Sequence, residues 1–412
     1  MKILASVYAC SPYDGSERAV GWNWLSELDK YHEITALTSH VYRADIEDYK
    51  SKNPGVLQNT KFVYLDVPNT FWHVGYRFER IYYILWQKEA YIQAKKLVHK
   101  EHFDLVHHIT YVTCVLPTYM HKLGIPFLYG PVSGGENIPL IIGYPMSKKN
   151  KLVELVRTAV QIFFQSTPNF KKTLERSSLI LTVTEETKMM IPQKYWYKVK
   201  VFQSIGLNED VFYPEPALKP NRPPKFLMAG RMIYWKGYEL GIIAFVDALD
   251  KGCKASLTIL GDTENNPAQE SYCENLKKLC GKHLNKEIKF VSKVEHSKMK
   301  GFYDKFDALI NCSLRDSGNF VVMEAMSRGL PVICVNTGGP KVNTTKEVAI
   351  KIEPAPMQNM INQISNAICE IAESRDKRVN MGIAAKEYAK NTFLLDARTK
   401  QIGKFYEQIV QK

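Results

Sequence analysis

The sequence predicts an α/β protein with two doubly wound, Rossmann-like domains that face each other across a cleft. The chain has 412 residues, which is too long for one ordinary core and suits two domains of roughly 200 residues each. Short apolar runs alternate with helical patterns along nearly the whole chain, as is typical of parallel sheets. A proline-rich segment, 207–224, interrupts this alternation near the middle and predicts a linker.

The first predicted domain, residues 1–206, contains six runs that are rich in β-branched and aromatic residues. They read KILASVY, EITALTS, KFVYLDV, DLVHHIT, PFLYGPV and LILTVT. Long helical patterns at Gly75–Lys100 and Asn150–Arg176 lie among them. We therefore expect strands joined by helices, which is the arrangement of a parallel sheet.

Five prolines between Pro214 and Pro224 predict a stiff linker, because proline fixes φ and removes a hydrogen-bond donor. The alternation then restarts with KFLMAG, ASLTILG, IKFVSKV, ALINCSL and PVICVN, which predicts a second α/β domain over 225–384. The final helical stretch, 385–412, could cross back onto the first domain, and the sequence alone does not decide this.

Composition points to a soluble globular protein, with 45% hydrophobic and 24% charged residues. No apolar run approaches the ~18 residues that a membrane span needs. The N-terminal run meets Pro12 and a turn, so it is interpreted as a strand and not as a signal peptide, and we expect a cytoplasmic protein. Eight cysteines without a CxxC pair favour reduced thiols over disulfides or a zinc site.

The net charge of +13 predicts an anionic partner, unless it serves solubility alone. Nucleic acid is not expected, because the basic residues are spread along the chain without a recognisable binding module. A nucleotide-activated substrate and an anionic membrane surface are the better candidates. The segment 145–165, PMSKKNKLVELVRTAVQIFFQ, predicts either a helix on a membrane or a helix packed on the sheet with an exposed basic start.

Ligands of open α/β sheets bind beyond the carboxyl ends of the strands, so polar residues that follow strands are the candidates. Arg231 and Lys236 follow KFLMAG where the next helix begins. Two cations beside a helix N-terminus suit a diphosphate, although such a pair can also be two solvated cations on a loop.

The stretch SLRDSGNFVVMEAMSRG carries two carboxylates, Asp316 and Glu324, eight positions apart. We expect the N–H groups of Gly318, Asn319 and Phe320 to meet an anion at the start of a helix, with Gly318 allowing close approach. Glu324 is expected about two turns into that helix, roughly 9 Å from its start. Carboxylates accept hydrogen bonds from vicinal hydroxyls, which suits a sugar at Asp316 and a ribose at Glu324.

Glycines follow two strands of the first predicted domain. Gly15 and Ser16 suit the close approach of a donor phosphate or an acceptor, or they form an ordinary turn. Gly134, Gly135 and Glu136 follow PFLYGPV and are candidates for the acceptor side.

Two histidines, His107 and His108, end the strand DLVHHIT. Since neighbouring strand residues point to opposite faces, one of them should face the cleft if the other is buried. A lone strand histidine can equally be a core residue with its hydrogen bonds satisfied.

The motifs AGRMIYWKG, LGD, DSGNFVVMEAMSRGLPVIC and NTGGP resemble the C-terminal domain of family 4 glycosyltransferases of the GT-B fold. SPYDGSERAVGWNW, FDLVHHIT and YGPVSGGE resemble bacterial members of that family, so the resemblance covers nearly the whole chain in order. It implies retaining transfer of a sugar from a nucleotide diphosphate donor, without a bound metal or cofactor. It also implies a glycan or lipid-linked acceptor and a role in cell-surface polysaccharide synthesis, on the inner face of the membrane.

The resemblance also implies roles for individual residues. Arg231 and Lys236 would contact the donor diphosphate, Glu324 the ribose, and Asp316 and a histidine, taken as His108, the donor sugar. Asp316 stands where the family has Glu, which shortens the reach by one methylene, about 1.5 Å. Attack on the face that the diphosphate leaves needs no protein nucleophile, and the cations would stabilise the leaving group.

Two other classes of protein would share part of this sequence pattern. A nicotinamide dehydrogenase would also have doubly wound domains, but no GxGxxG follows either first strand. A catalytically weak relative that binds nucleotide sugars or glycans would keep the fold and lose the diphosphate cations. Arg231 and Lys236 are both present, which argues against it.

Overall fold

The computed structural model describes residues 1–15, 17–67, 79–204, 206–214, 222–262, 266–292 and 294–411. The chain forms two compact units. The first consists of Met1–Gly135, Leu152–Ile205 and Leu395–Lys412, and the second of Glu136–Lys151 and Gly206–Leu394. The end of the chain thus belongs to the first unit. Residues 136–151 belong to the second, although the sequence placed them in the first domain.

The strands of the described residues are short and build two parallel sheets. They are β1 (Lys2–Val7), β2 (Glu33–Ser39), β3 (Thr60–Leu65), β4 (Leu105–Thr110), β5 (Phe127–Val132), β6 (Leu179–Thr182), β7 (Val199–Val201), β8 (Lys225–Arg231), β9 (Ser256–Asp262), β10 (Ile288–Val291), β11 (Ala308–Asn311), β12 (Val332–Val335) and β13 (Ala349–Ile352). The first sheet has the order β3-β2-β1-β4-β5-β6-β7 and the second β10-β9-β8-β11-β12-β13. The predicted α/β fold with two doubly wound domains is confirmed.

Helices connect the strands. They are α1 (Glu17–Leu28), α2 (Arg43–Lys52), α3 (Glu79–Lys100), α4 (Lys148–Ser166), α5 (Pro168–Arg176), α6 (Glu185–Met189), α7 (Tyr238–Asp250), α8 (Pro267–Leu279), α9 (His296–Tyr303), α10 (Phe320–Ser327), α11 (Gly338–Asn343), α12 (Met357–Glu373), α13 (Arg375–Phe393) and α14 (Leu395–Val410). The start of the predicted helix at 75–78 and the linker residues 215–221 lie outside the described residues.

The structure divides the helical pattern Asn150–Arg176 into α4 and α5. Thr167 caps α5, because its hydroxyl accepts a hydrogen bond from the Phe170 N–H at 3.3 Å. Pro168 occupies the first turn of α5, where its missing N–H costs no helical hydrogen bond. The strands β7 and β13 were not predicted, because three or four residues carry little periodic signal.

Each sheet has a point at which the strand order reverses. In the first unit β1 lies between β2 and β4, and in the second unit β8 lies between β9 and β11, with parallel pairing throughout. Successive connections leave this point in opposite directions, so the loops there separate and open a crevice at the strand ends. The loops after β1 and β4, and after β8 and β11, therefore define the candidate sites.

Part of the chain between the β5 loop and α4 packs on the second unit. Ile138, Ile142 and Tyr144 belong to the buried core of that unit. The Tyr144 hydroxyl donates a hydrogen bond to the Glu239 carboxylate, and the Tyr272 hydroxyl donates to the same oxygen at 2.5 Å. These contacts explain why 136–151 groups with the second unit. All eight cysteines are free thiols, six of them buried.

Candidate functional site

Three strand ends frame the candidate site of the second unit. The neighbouring strands β8, β11 and β12 end at Arg231, Asn311 and Val335. The donor-binding candidates that the sequence places in this unit lie in the segments that follow β8 and β11. The fold brings these two loops together at the point of strand-order reversal, since β8 and β11 pair directly.

Lys236 and Asp316 form an ion pair between these two loops. Their side chains are only 18% and 17% exposed, so the pair is partly removed from water. The next residue, Gly237, has a φ of 65°, and a Cβ there would collide with the backbone oxygen of Cys312. Glycine at this position therefore lets the loop that carries Lys236 approach the end of β11.

Two arginines add positive charge to the same loops. Arg231 is exposed at the end of β8. The guanidinium of Arg315 lies 4.5 Å from the centre of the Trp235 ring, so it stacks on the loop that carries Lys236. Sequence reasoning missed Arg315, although its position directly before Asp316 was a signal.

The turn after β11 is supported by residues at both ends of α11. The Gly339 N–H donates to the Asp316 carbonyl at 2.7 Å, and the Asn343 side-chain amide donates to the Gly318 carbonyl at 2.7 Å. Gly338 has a φ of 49°, and a Cβ there would collide with the Asp316 carbonyl. The NTGGP motif and Asn343 thus hold the backbone of the 316–318 turn in place.

The structure corrects the predicted start of the helix that follows. Asn319 has left-handed backbone angles, φ 59° and ψ 62°, so α10 begins only at Phe320. Glu324 then lies about one turn into the helix, roughly 6 Å from its first residue, and not two turns in. The Asn319 side chain exchanges hydrogen bonds with Asn311 at 3.0 and 3.2 Å, which fixes it against the end of β11.

Glu324 is oriented by a tyrosine that sequence reasoning missed. The Tyr303 hydroxyl donates to Oε2 of Glu324 at 2.7 Å. Tyr303 is 1% exposed, and burial raises the pKa of its phenol well above the usual value, so it stays a donor. No pattern at the end of α9 pointed to this residue.

The corresponding point of the first unit holds a carboxyl group that was also missed. Glu17, the first residue of α1, accepts a hydrogen bond from the Val112 N–H just after β4, at 2.5 Å. Burial raises the pKa of this carboxyl to about 7. Gly15 is exposed in the loop before α1, with open space where a Cβ would lie, and Ser16 lies outside the described residues.

The alternation along the strand predicted that one of His107 and His108 faces the cleft if the other is buried, and the structure buries both. They are 0% and 1% exposed, because β4 is central in the sheet and both of its faces are covered. His107 hydrogen-bonds the Tyr406 hydroxyl of α14 and the Gly130 carbonyl, both at 2.7 Å. Burial lowers the pKa of His107 to about 3 and that of His108 to about 4. A role for His108 towards a sugar stays a prediction.

The glycines after β5 serve packing in this structure. Gly134 has a φ of 122°, and its carbonyl accepts a hydrogen bond from the Gln161 amide of α4. The Gly135 N–H donates to the Thr187 hydroxyl at 3.1 Å, and a Cβ at Gly135 would lie 2.5 Å from the Glu186 oxygen. Glu136 is buried and groups with the second unit. An acceptor role for these residues stays a prediction.

Comparison with known proteins decides the fold. Residues 212–388 match the family described as glycosyl transferases group 1. A solved glycosyltransferase from Rickettsia africae superposes over 100% of this chain and 99% of its own, with a TM-score of 0.63 and 17% identity. HepE of Anabaena, crystallised with UDP, superposes over 99% of this chain and 100% of its own, with a TM-score of 0.62 and 13% identity. The fold is GT-B.

Curated relatives of this GT-B chain match over part of their length. An uncharacterised glycosyltransferase of Methanocaldococcus jannaschii is 28% identical over 45% of this chain and 45% of its own. A GDP-mannose-dependent α-(1-6)-phosphatidylinositol monomannoside mannosyltransferase of Mycobacterium tuberculosis is 23% identical over 48% of this chain and 54% of its own. The matches thus span about half the length of these relatives.

The described residues lack two features. None of the helices there is long and apolar enough to cross a membrane. No three His, Cys, Asp or Glu side chains in the same part of the chain lie close enough together to hold a metal ion.

Proposed function

We propose that this protein is a retaining, metal-independent glycosyltransferase that moves a sugar from a nucleotide diphosphate sugar to a glycan or lipid-linked acceptor. The observation that carries the proposal is the arrangement in the second unit. Lys236 pairs with Asp316, which lies just before α10. Glu324 lies one turn inside that helix and accepts a hydrogen bond from Tyr303. A cation, a helix N-terminus and two carboxylates would then contact one extended ligand.

The diphosphate of the donor would lie against Arg231, Lys236 and the first N–H groups of α10. A helix N-terminus attracts anions, because its first N–H groups have no partner within the helix and the peptide dipoles add. Gly318 would let a phosphate oxygen approach the backbone. The ribose hydroxyls would donate to Glu324, and the donor sugar would meet Asp316.

Transfer would depend on stabilising the charge that develops on the departing diphosphate. Arg231, Lys236 and the α10 N-terminus would supply this stabilisation, because each of them attracts negative charge. Attack by the acceptor on the face that the diphosphate leaves gives retention without a protein nucleophile. Asp316 would orient the sugar and Lys236 together, because the two side chains already contact each other.

Two observations favour a lipid-linked acceptor at a membrane. One relative is named as acting on phosphatidylinositol monomannoside, which is a lipid-linked sugar. The net charge of +13 favours an anionic surface as well as an anionic donor. We therefore propose that the protein acts at the inner face of a membrane, in the synthesis of cell-surface polysaccharide.

A panel of UDP-, GDP- and ADP-sugars tests the proposal. A cognate donor should raise the unfolding temperature, because a ligand that binds only the folded state stabilises it. The same donor should then be hydrolysed or transferred, with the anomeric configuration of the product read by NMR. Stabilisation without turnover would favour the catalytically weak binding protein, and an inverted product would exclude the retaining mechanism. If no nucleotide sugar stabilises the chain, the proposal is wrong.

A further inference from the structure

Helix α4 begins in the second unit and continues from Leu152 in the first, and its polar side is the packed one. Asn150, Glu154, Arg157 and Gln161 recur at intervals of four, three and four residues, so they share one face, and all are less exposed than their neighbours. Gln161 is the buried residue of α4, and its amide donates to the Gly134 carbonyl, as does the Arg157 guanidinium at 3.5 Å. Surface helices of globular proteins usually bury the apolar side instead.

The opposite side of α4 is apolar and faces outwards. Seven side chains there are 37–66% exposed: Leu152, Val153, Leu155, Val156, Val160, Ile162 and Phe163. No exposed residue of α4 is acidic, since Glu154 lies on the inward face. A contiguous apolar surface of this kind marks a binding surface, because leaving it in water is unfavourable.

Lysines border this apolar face at both ends. Lys148, Lys149 and Lys151 form the exposed basic start of α4. At the other end, Ile162 of α4 lines a groove of about 470 Å³ together with Lys171 and Lys194. One acidic residue, Glu175, also lines that groove, so the excess charge is positive.

We propose that the outward face of α4 is the surface by which this protein docks on an anionic lipid bilayer. The helix would lie in the plane of the interface, with its apolar side chains among the headgroups and its lysines near lipid phosphates. We choose an anionic bilayer as the partner because of charge: a basic border around an apolar face suits an anionic surface. This surface would bring the protein to a lipid-linked acceptor, and that part rests on the proposed function. Docking itself needs no sugar transfer.

Sedimentation of the full chain with lipid vesicles tests the proposal. The chain should sediment with vesicles of phosphatidylcholine and phosphatidylglycerol at low salt, less with phosphatidylcholine alone, and should be released as salt screens the charges. Leu155→Asn with Phe163→Asn should lower the bound fraction about ten-fold or more. Ile383→Asn is the matched control, because Ile383 is 63% exposed on α13, and it should bind like the wild type.

A charge-matched pair of variants separates local from general attraction. Replacing Lys148, Lys149 and Lys151 with Glu should lower binding about ten-fold or more, whereas the same replacement of three exposed lysines of α3 should change it little. Those control lysines are Lys95, Lys96 and Lys100. Both triple variants lower the net charge by the same amount, so equal losses would show that only the overall charge matters and would overturn the proposal.

Amide exchange and oligomeric state complete the test. With anionic vesicles, exchange should slow across 148–166 and stay unchanged across α3. Equal exchange with and without vesicles would overturn the proposal. So would a wild type that self-associates through α4 and ignores vesicles, because the face would then be an interface between two copies. Neither readout uses donor turnover, so failure here leaves the glycosyltransferase proposal standing, and the reverse also holds.

Discussion

Lys236→Ala is the most direct perturbation of the proposed donor site. The Lys236 side chain is 18% exposed and meets a carboxylate that is 17% exposed, so its bond to a phosphate would form partly out of water. A hydrogen bond to a charged group in such a setting is worth about 1.5–3 kcal/mol. The variant should therefore bind a nucleoside diphosphate about ten- to 150-fold more weakly.

Asp316→Asn should act in a different way. The Asp316 carboxylate neutralises Lys236 in the free protein, so its loss frees the ammonium for phosphate. Binding of the nucleoside diphosphate alone should stay the same or tighten. The additional affinity that the sugar contributes should fall, because a carboxylate acceptor for sugar hydroxyls is lost.

Calorimetry with nucleoside diphosphate and with nucleotide sugar measures both effects. Lys251→Ala provides the matched control, since Lys251 pairs with Asp247 on α7 in the same unit, and it should bind both ligands like the wild type. The reasoning fails if Lys236→Ala binds the nucleoside diphosphate normally. It also fails if Asp316→Asn weakens the binding of the nucleoside diphosphate as much as Lys236→Ala does.

Three further predictions concern single residues. Arg231→Ala should lower turnover at least about ten-fold through lost stabilisation of the leaving diphosphate, and wild-type kinetics would remove it from the site. Glu324→Gln should weaken the binding of nucleoside diphosphate and of nucleotide sugar equally, as measured by calorimetry. A loss confined to the affinity that the sugar contributes would contradict the ribose assignment. The Glu17 carboxyl has a pKa of about 7 folded against 4.5 as reference, so the folded state binds more protons between these values. Wild-type stability should fall as pH rises through that window, by at most about 3 kcal/mol. Glu17→Gln should lack this fall in urea denaturation, and parallel pH profiles for both proteins would contradict the assigned pKa.

The sequence predicted the fold well because buried parallel strands leave a strong pattern. The strands β1, β2, β4, β5 and β12 have almost wholly buried residues, so each appears as a short run rich in apolar or β-branched residues. The same burial made the histidines misleading. Alternation along a strand suggests one inward and one outward side chain, but a central strand covered on both faces buries both His107 and His108.

The candidate site was predicted in part. Arg231, Lys236, Asp316 and Glu324 were found because they follow strands or open a helix, which are features of local sequence. Tyr303 and Glu17 were missed, because their contacts are made across the fold. The Tyr303 hydroxyl reaches Glu324 from 21 residues away, and Glu17 meets the Val112 N–H from 95 residues away.

The order of amino acids was enough to establish two α/β domains, the loops that carry charge and the amphipathic character of α4. Those properties follow from periodicity and from residue type. Only the tertiary structure decided that Lys236 contacts Asp316, 80 positions away, and that α4 turns its apolar side outwards. Periodicity shows that a helix has two faces, but which one is buried depends on the surface it meets, here the Gly134 carbonyl that binds Gln161.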